Sequence, residues 1–415
     1  MELIPRRLSE RLVRALSVNP VVFVNGPRQA GKSTLVRGLS RGLFQAEYVT
    51  LDNATQMSAA ASSPATFLSS RDTPLIIDEV QLVPGLFRAL KESVDQRRIE
   101  HSDVRGARYL LTGSAHVMTV PELSDALVGR MSIQTLYPFS VCEVEKTPGR
   151  FLERVFESDY ADLGDRRFEA EEAITRATYP DLVDRGEQDR EEWIESYLTT
   201  ILQRDVRSIS EIEKLPALPR LLRVLASRAG SLLNDAAIAR DVGLNSVTCK
   251  SYRALLNAVF LTFDLPPWHR NIGKRLVKSP KGYLWDTQIL CHLLGRSVGD
   301  MRRRAPELFG HVIENFVATE IQKLLAFGNQ RAELLHFRTS NQVEVDFVLE
   351  RPDGSIVAVE VKSRADVSDS DFNGIRSLAS AVGNQFVAGV VLYTGRAVVP
   401  FAQNLHALPM NALWL

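Results

Sequence analysis

The stretch Val21-Val22-Phe23-Val24-Asn25-Gly26-Pro27-Arg28-Gln29-Ala30-Gly31-Lys32-Ser33-Thr34 decides how the rest of the chain is read. Four apolar, mostly β-branched residues predict a strand. Gly-x-x-x-x-Gly-Lys-Ser predicts a phosphate-cradling loop, and Thr34 to Arg37 continue into a helix. Gly26 and Gly31 leave no Cβ in the way, so successive N–H groups can converge on phosphate oxygens. The helix that starts near Lys32 turns its positive end toward the same anion. Pro27, Arg28, Gln29, Ala30 and Thr34 complete this binding loop, Lys32 reaches the outer phosphates, and the Ser33 hydroxyl is a ligand for Mg²⁺.

Working outward, Leu8, Leu12, Val13 and Leu16 fall at helical spacing and predict a short lead helix up to Ser17. A second strand runs from Tyr48 to Leu51 and ends at Asp52. A third, Leu75-Ile76-Ile77, closes on Asp78-Glu79, and a fourth, Tyr109 to Thr112, closes on Gly113-Ser114. Short apolar runs alternating with helical segments such as Leu86 to Arg97 imply a parallel sheet covered on both faces, with ligand loops at the carboxyl ends of its strands. At such an end Asp78 can hold Mg²⁺ through water, and Glu79 can orient and deprotonate an attacking water. Thr112 and Ser114 read either as sensors of the outer phosphate or as ordinary turn residues. Arg130, in Leu127-Val128-Gly129-Arg130, reads either as a cation reaching a γ-phosphate from a neighbouring subunit or as a solvated arginine.

A chain of 415 residues is long enough for two or three cores. Lys plus Arg equals Asp plus Glu at 50 each, so any nucleic-acid contact must come from a local patch rather than from bulk charge. Cys142, Cys249 and Cys291 are widely separated and indicate neither a disulfide framework nor a zinc site. No stretch has the apolar length of a membrane span, and the chain reads as cytoplasmic.

The domain reading follows from these patterns. Residues 1–145 form the phosphate-binding α/β domain. Residues 146–215 are a charged helical lid or connector with an apolar stripe through Trp193, Ile194, Tyr197, Leu198 and Ile201. Residues 216–270 have helix-turn-helix spacing: Leu218 to Leu225, a second helix capped at Asn234, a turn at Gly243, and a third helix starting at Asn245. Pro266-Pro267 lies where a wing would form, and Ser246, Thr248, Lys250, Ser251 and Arg253 are expected to face outward. With only two cations there, a DNA-binding and a protein-binding winged helix are both open. Residues 271–305 read as a linker around Lys278-Ser279-Pro280-Lys281. Residues 306–415 give an α-β-β-β-α-β order, with a hairpin at Pro352-Asp353-Gly354.

In that last domain Asp346 lies on one hairpin strand, and Glu360 and Lys362 share a face on the next. Two carboxylates that share a divalent metal beside a lysine suit phosphodiester hydrolysis, and Glu314 can complete the carboxylate set. The alternative is a solvated face, since charges alternate there with Val343, Val345, Phe347, Val357, Val359 and Val361.

Several stretches together carry a resemblance: GPRQAGKST, LIIDEVQ, LLTGSA followed by LVGR and YPFS, KSPKGYLWD, ENFVATE, EVDFVLE and VAVEVKS. Over nearly its whole length the chain resembles bacterial and archaeal AAA-type ATPases with a C-terminal domain related to the PD-(D/E)xK nuclease superfamily. The resemblance implies a parallel-sheet P-loop NTPase domain, a helical or winged-helix middle and a restriction-endonuclease-like C-terminal domain. It also implies ATP and Mg²⁺ as cofactors, DNA as a partner and self-association. By the same resemblance Lys32, Ser33, Asp78 and Glu79 take the roles derived above, and Glu314, Asp346, Glu360 and Lys362 fall on the nuclease pattern. Active and inactive versions coexist in that superfamily, so the fold is implied more firmly than cleavage. An ATP-dependent enzyme on nucleic acid and a nucleotide-gated scaffold for a protein partner both fit.

Overall fold

The computed structural model describes residues 3–71, 74–100, 106–114, 129–161, 163, 167–206, 216–275 and 279–415. Leu127, Val128 and Lys278, along with 207–215 of the expected connector, lie outside them. The chain divides into two compact units, residues 1–138 with 258–260 and residues 139–257 with 261–415.

In the first unit the apolar runs become strands β1 (Val21–Asn25), β2 (Glu47–Thr50), β3 (Leu75–Asp78), β4 (Tyr109–Thr112) and β5 (Met131–Thr135). They form one sheet in the order β2-β3-β4-β1-β5, with every pairing parallel. The central strands are buried along their whole length, as parallel strands covered on both faces must be. Val21, Phe23, Ile77 and Leu111 pack with Leu86, Phe87 and Leu90 of the helix Leu86–Glu100. Each such side chain contributes about 1.5–3 kcal/mol by leaving water. β5 escaped the sequence reading because Met-Ser-Ile-Gln-Thr has no continuous apolar run. The lead helix, Leu8–Val18, buries Leu8, Leu12, Ala15 and Leu16 as its spacing requires.

The second unit holds a six-stranded mixed sheet. β8 (Glu333–Arg338), β9 (Glu344–Glu350) and β10 (Ile356–Lys362) are antiparallel neighbours. β11 (Phe386–Tyr393) pairs parallel with β10, then with β13 (Leu405–Pro409), and β12 (Val399–Ala402) closes the far edge. β12 and β13 extend the expected α-β-β-β-α-β order. Gly354, at φ 86°, makes the β9–β10 turn. Across one face runs the helix Pro306–Phe327, and Ile375, Leu378 and Val382 of the helix Asn373–Val382 bury against Val345, Val348 and Ala358.

The expected linker 271–305 is not one. It carries the helices Ile272–Arg275, Thr287–Leu294 and Val298–Arg304 and the strand β7 (Lys281–Leu284). β7 pairs antiparallel with β6 (Thr262–Leu265), following the three helices Ala217–Ser227, Asp235–Val242 and Ser246–Ala258. Tyr283, Leu284 and Trp285 are buried here, so a segment with the Pro and Lys content of a linker is anchored by apolar residues. In the expected helical connector, Glu187–Thr200 buries Ile194, Tyr197 and Leu198, and Trp193 stacks on Tyr197 with ring centroids 4.9 Å apart.

Candidate functional site

Two clusters carry chemistry, one in each unit. In the first, the loop from Gly26 to Gly31 joins β1 to the helix Lys32–Ser40. Gly26 has φ 143°, and a Cβ there would lie 2.1 Å from the Leu136 carbonyl oxygen, so only glycine fits. Gly31 caps the helix at φ 92°. Arg6, which sequence reasoning missed, donates to the carbonyls of Ala30 at 2.7 Å and Tyr137 at 2.6 Å and clamps the loop. Lys32 is buried, and its Nζ donates to the carbonyls of Gly26 at 3.0 Å and Pro27 at 2.8 Å. Arg28 is half-buried, and Gln29 and Thr34 are exposed at the rim.

Asp78 ends β3 next to this loop. Its carboxylate is buried and accepts from three hydroxyls: Ser33 at 3.1 Å, Tyr48 at 2.5 Å and Thr112. Burial, reinforced by the bond to Asp78, pushes the Tyr48 phenol up to about 12, so it stays a donor throughout the physiological range. Ser33 and Asp78 supply hard oxygen donors side by side, which fits Mg²⁺ by donor chemistry. Glu79 follows with left-handed backbone, φ 58° and ψ 43°, and its N–H donates to Thr112 Oγ1 at 3.1 Å. The Glu79 side chain is half-buried at the strand end, beside Gln81 and Ser114. Lys32, Ser33, Asp78, Glu79, Thr112 and Ser114 thus lie together at the carboxyl ends of β1, β3 and β4. Tyr48 and Gln81 join them without a motif to announce it, although Gln81 stands in the quoted LIIDEVQ. Arg130 is engaged elsewhere: its guanidinium donates to both Asp95 carboxylate oxygens, at 2.6 and 3.0 Å, and holds the Asp95 carboxyl below its usual range.

The second cluster gathers the residues expected to form a metal site. Glu314, Asp346, Glu360 and Lys362 do converge, but a fifth group stands between the first two. Lys281 of β7 places Nζ 2.9 Å from Glu314 Oε1 and 3.2 Å from Asp346 Oδ1, with only 4% of its side chain exposed. Tyr283, two residues on and on the same face, donates to the same Glu314 oxygen at 2.7 Å. Asp346 Oδ2 accepts from the Val361 N–H at 3.0 Å, and Lys362 pairs with Glu360 at 2.8 Å. Among the described residues no group of three His, Cys, Asp or Glu is arranged to hold a metal ion. The Lys281 ammonium lies between Glu314 and Asp346 and pairs with both.

Electrostatics follow from that arrangement. Burial works against the Lys281 charge, but Asp346 and Glu314 outweigh it and hold its pKa above the ordinary lysine value. Burial and the Asp346 charge raise Glu314 to about 7, and the same two causes raise Glu360 to about 8. Lys281 and Lys362 face Glu314, Asp346 and Glu360, so carboxylates outnumber ammonium groups and the excess is relieved by proton uptake.

A further correction concerns the helix Ser246–Ala258. Ser246, Lys250 and Ser251 are exposed and Thr248 is half-exposed, but Arg253 turns inward and is 6% exposed. It pairs with Asp235 at 3.0 Å and also with Asp264 on β6. The exposed helix face therefore offers one cation, Lys250, beside Val247, which is 75% exposed.

Among the described residues no helix is long and apolar enough to cross a membrane. Comparison with known proteins matches residues 18–145 to a family described as AAA domain. Residues 167–299 and 309–413 match two families, each described only as a domain of unknown function. Among solved structures, a Walker-type ATPase of Pyrococcus abyssi covers 70% of this chain and 96% of its own at 14% identity, TM-score 0.42. Cdc6p of Pyrobaculum aerophilum covers 76% and 96% at 13% identity, TM-score 0.27. The uncharacterized proteins Rv2008c of Mycobacterium tuberculosis and Mb2031c of Mycobacterium bovis are each 31% identical over 414 residues, 99% of this chain and 85% of theirs. The chain belongs to one family with these two mycobacterial proteins, and its residues 18–145 match the AAA domain family.

Proposed function

We propose that the protein is a Mg²⁺-dependent ATPase whose nucleotide state switches a binding module in its second unit. The observation that carries the ATPase reading is the Ser33–Asp78 pair at 3.1 Å beside the Gly26–Gly31 loop, with Glu79 at the same strand end. The loop N–H groups and Lys32 bind the phosphates, so Lys32 must exchange the Gly26 and Pro27 carbonyls for phosphate oxygens on binding. Ser33 and Asp78 would hold Mg²⁺, which when bound neutralises charge on the β- and γ-phosphates. Tyr48 and Thr112 fix the Asp78 carboxylate. Glu79 accepts the proton of the attacking water. Lys32→Ala should abolish nucleotide binding. Retained ATP binding in that variant would sink the assignment of the loop.

Two observations favour the scaffold reading for the second unit over metal-dependent cleavage. Lys281 satisfies Glu314 and Asp346, and Arg253 is withdrawn from the helix face that would meet DNA. We take the three helices with the β6–β7 hairpin as a winged helix that meets a protein partner through the face around Val247 and Lys250. On this proposal the domain beyond Pro306 is a nuclease-like fold that serves binding rather than cleavage. ATP-promoted self-association belongs to the same proposal, and Arg130 acts across an interface only if it leaves Asp95. Titrating nucleotide-free protein with Mg²⁺ or Mn²⁺ should give no heat at the second cluster. Binding that disappears in Asp346→Ala would restore the cleavage reading. Salt-dependent DNA binding that weakens in Lys250→Ala would favour DNA over protein as the partner.

A further inference from the structure

We propose that Gln81 is a positioning residue that holds the Glu79 carboxylate for proton acceptance and ties it to Ser114 at the end of β4. The proposal rests on the ATPase reading above and deepens it. Glu79 occupies left-handed backbone at φ 58°, a conformation that a non-glycine residue keeps only where its surroundings fix it. The N–H bond to Thr112 fixes its backbone, and Gln81 fixes its side chain.

After Glu79 the chain makes the short 3₁₀ turn Val80–Leu82, which brings Gln81 back across the strand end. There Gln81 Nε2 donates to Glu79 Oε2 and to Ser114 Oγ at 3.3 Å, and Ser114 Oγ lies 3.5 Å from the same carboxylate oxygen. Among the described residues both donors converge on Oε2, which leaves Oε1 to take a proton from water. The other end of the amide differs. Gln81 Oε1 is buried and has no hydrogen-bond partner among the described residues. Gln81 satisfies only the end that touches the base and the Ser114 hydroxyl.

Gly113 makes room for this arrangement. A Cβ at Gly113 would lie 2.8 Å from Gln81 Oε1 and 2.9 Å from the Phe23 ring, so any side chain there presses on the amide from behind. An amide donor suits the task because it orients a carboxylate without competing for the proton that the carboxylate must accept. Ser114 stands at the end of the strand beside β1, so a γ-phosphate that engages the Ser114 hydroxyl also reaches the base through Gln81.

The test is the pH profile of steady-state ATP hydrolysis for wild type, Gln81→Leu, Gln81→Glu, Gly113→Ala and Glu79→Gln, with the nucleotide Kd of each variant. Gln81→Leu should lower kcat about ten- to a hundredfold, the scale set by loss of an orienting partner, with little change in nucleotide Kd. Gly113→Ala should act in the same direction. Gln81→Glu keeps the shape of the side chain but puts a second carboxylate against Glu79, so the acid limb of the kcat profile should move to higher pH. Gln81→Leu adds no charge but removes the donor to the carboxylate, so its acid limb should also move to higher pH, which loss of a merely structural glutamine would not cause, and Gln81→Asn serves if Gln81→Leu fails to fold. Wild-type kcat and wild-type pH profile in both Gln81 variants, with Glu79→Gln inactive, would overturn the proposal while leaving the ATPase reading intact. Equal rates in wild type and Glu79→Gln would instead overturn the reading on which it rests.

Discussion

Replacing Lys281 by Met should destabilise the second unit strongly and in a pH-dependent way. The ammonium sits 2.9 Å from Glu314 Oε1 and 3.2 Å from Asp346 Oδ1, with 4% of the side chain exposed. At an effective dielectric of about 20 each such pair is worth roughly 5 kcal/mol of Coulomb energy, most of it offset by desolvation. Removing only one partner leaves that desolvation uncompensated, which typically costs about 3–5 kcal/mol. Met keeps most of the volume, so a cavity contributes little to the loss. All four tryptophans, Trp193, Trp268, Trp285 and Trp414, lie in the second unit, so urea unfolding followed by tryptophan fluorescence reports on that unit alone. The loss should be full at pH 8 and should shrink near pH 5, where the abandoned carboxyls can protonate, and Glu314→Gln added to Lys281→Met should recover part of it. A loss below about 1 kcal/mol at pH 8, or one that does not change with pH, would refute the reasoning.

Other expectations follow from the same geometry. The wild-type second unit should lose stability as pH rises from about 5 to 8: Glu314 and Glu360 have folded pKa values of about 7 and 8, above the ordinary carboxyl value. Their contribution is therefore complete below that ordinary value and lost as pH rises through the folded ones, by at most about 3 kcal/mol for Glu314. Glu314→Gln should flatten this slope in the same urea assay. Gly26→Ala should eliminate ATP binding in an equilibrium titration, because its Cβ would overlap the Leu136 carbonyl at 2.1 Å. Arg253→Ala should lower the unfolding midpoint by the equivalent of about 3 kcal/mol, since it strands Asp235 and Asp264, and it should leave any DNA affinity unchanged.

What could be read from the sequence was what local pattern encodes. The phosphate loop, the acidic pair after β3 and the strand–helix alternation all follow from spacing over a few residues. The β9–β10 hairpin did too, because two apolar runs, Val343 to Leu349 and Ile356 to Val361, flank a Pro-Asp-Gly turn. Lys281 did not, since its partners are 33 and 65 residues away and its neighbours Ser279 and Pro280 read as linker. Arg253 was misread for a related reason. Helical spacing shows that it lies beside Lys250, but only the assembled hairpin brings Asp264 to meet it. Tyr48 and Gln81 carry no motif of their own, and their roles appear only once β2, β3 and β4 stand side by side.

The most direct test of the central claim is ATP binding and Mg²⁺-dependent hydrolysis by Glu79→Gln beside wild type. The amide keeps the size of the side chain and its place at the end of β3 but cannot accept the water's proton. The account predicts wild-type affinity for ATP with turnover reduced about 10²- to 10⁴-fold. Turnover equal to wild type in Glu79→Gln would contradict it.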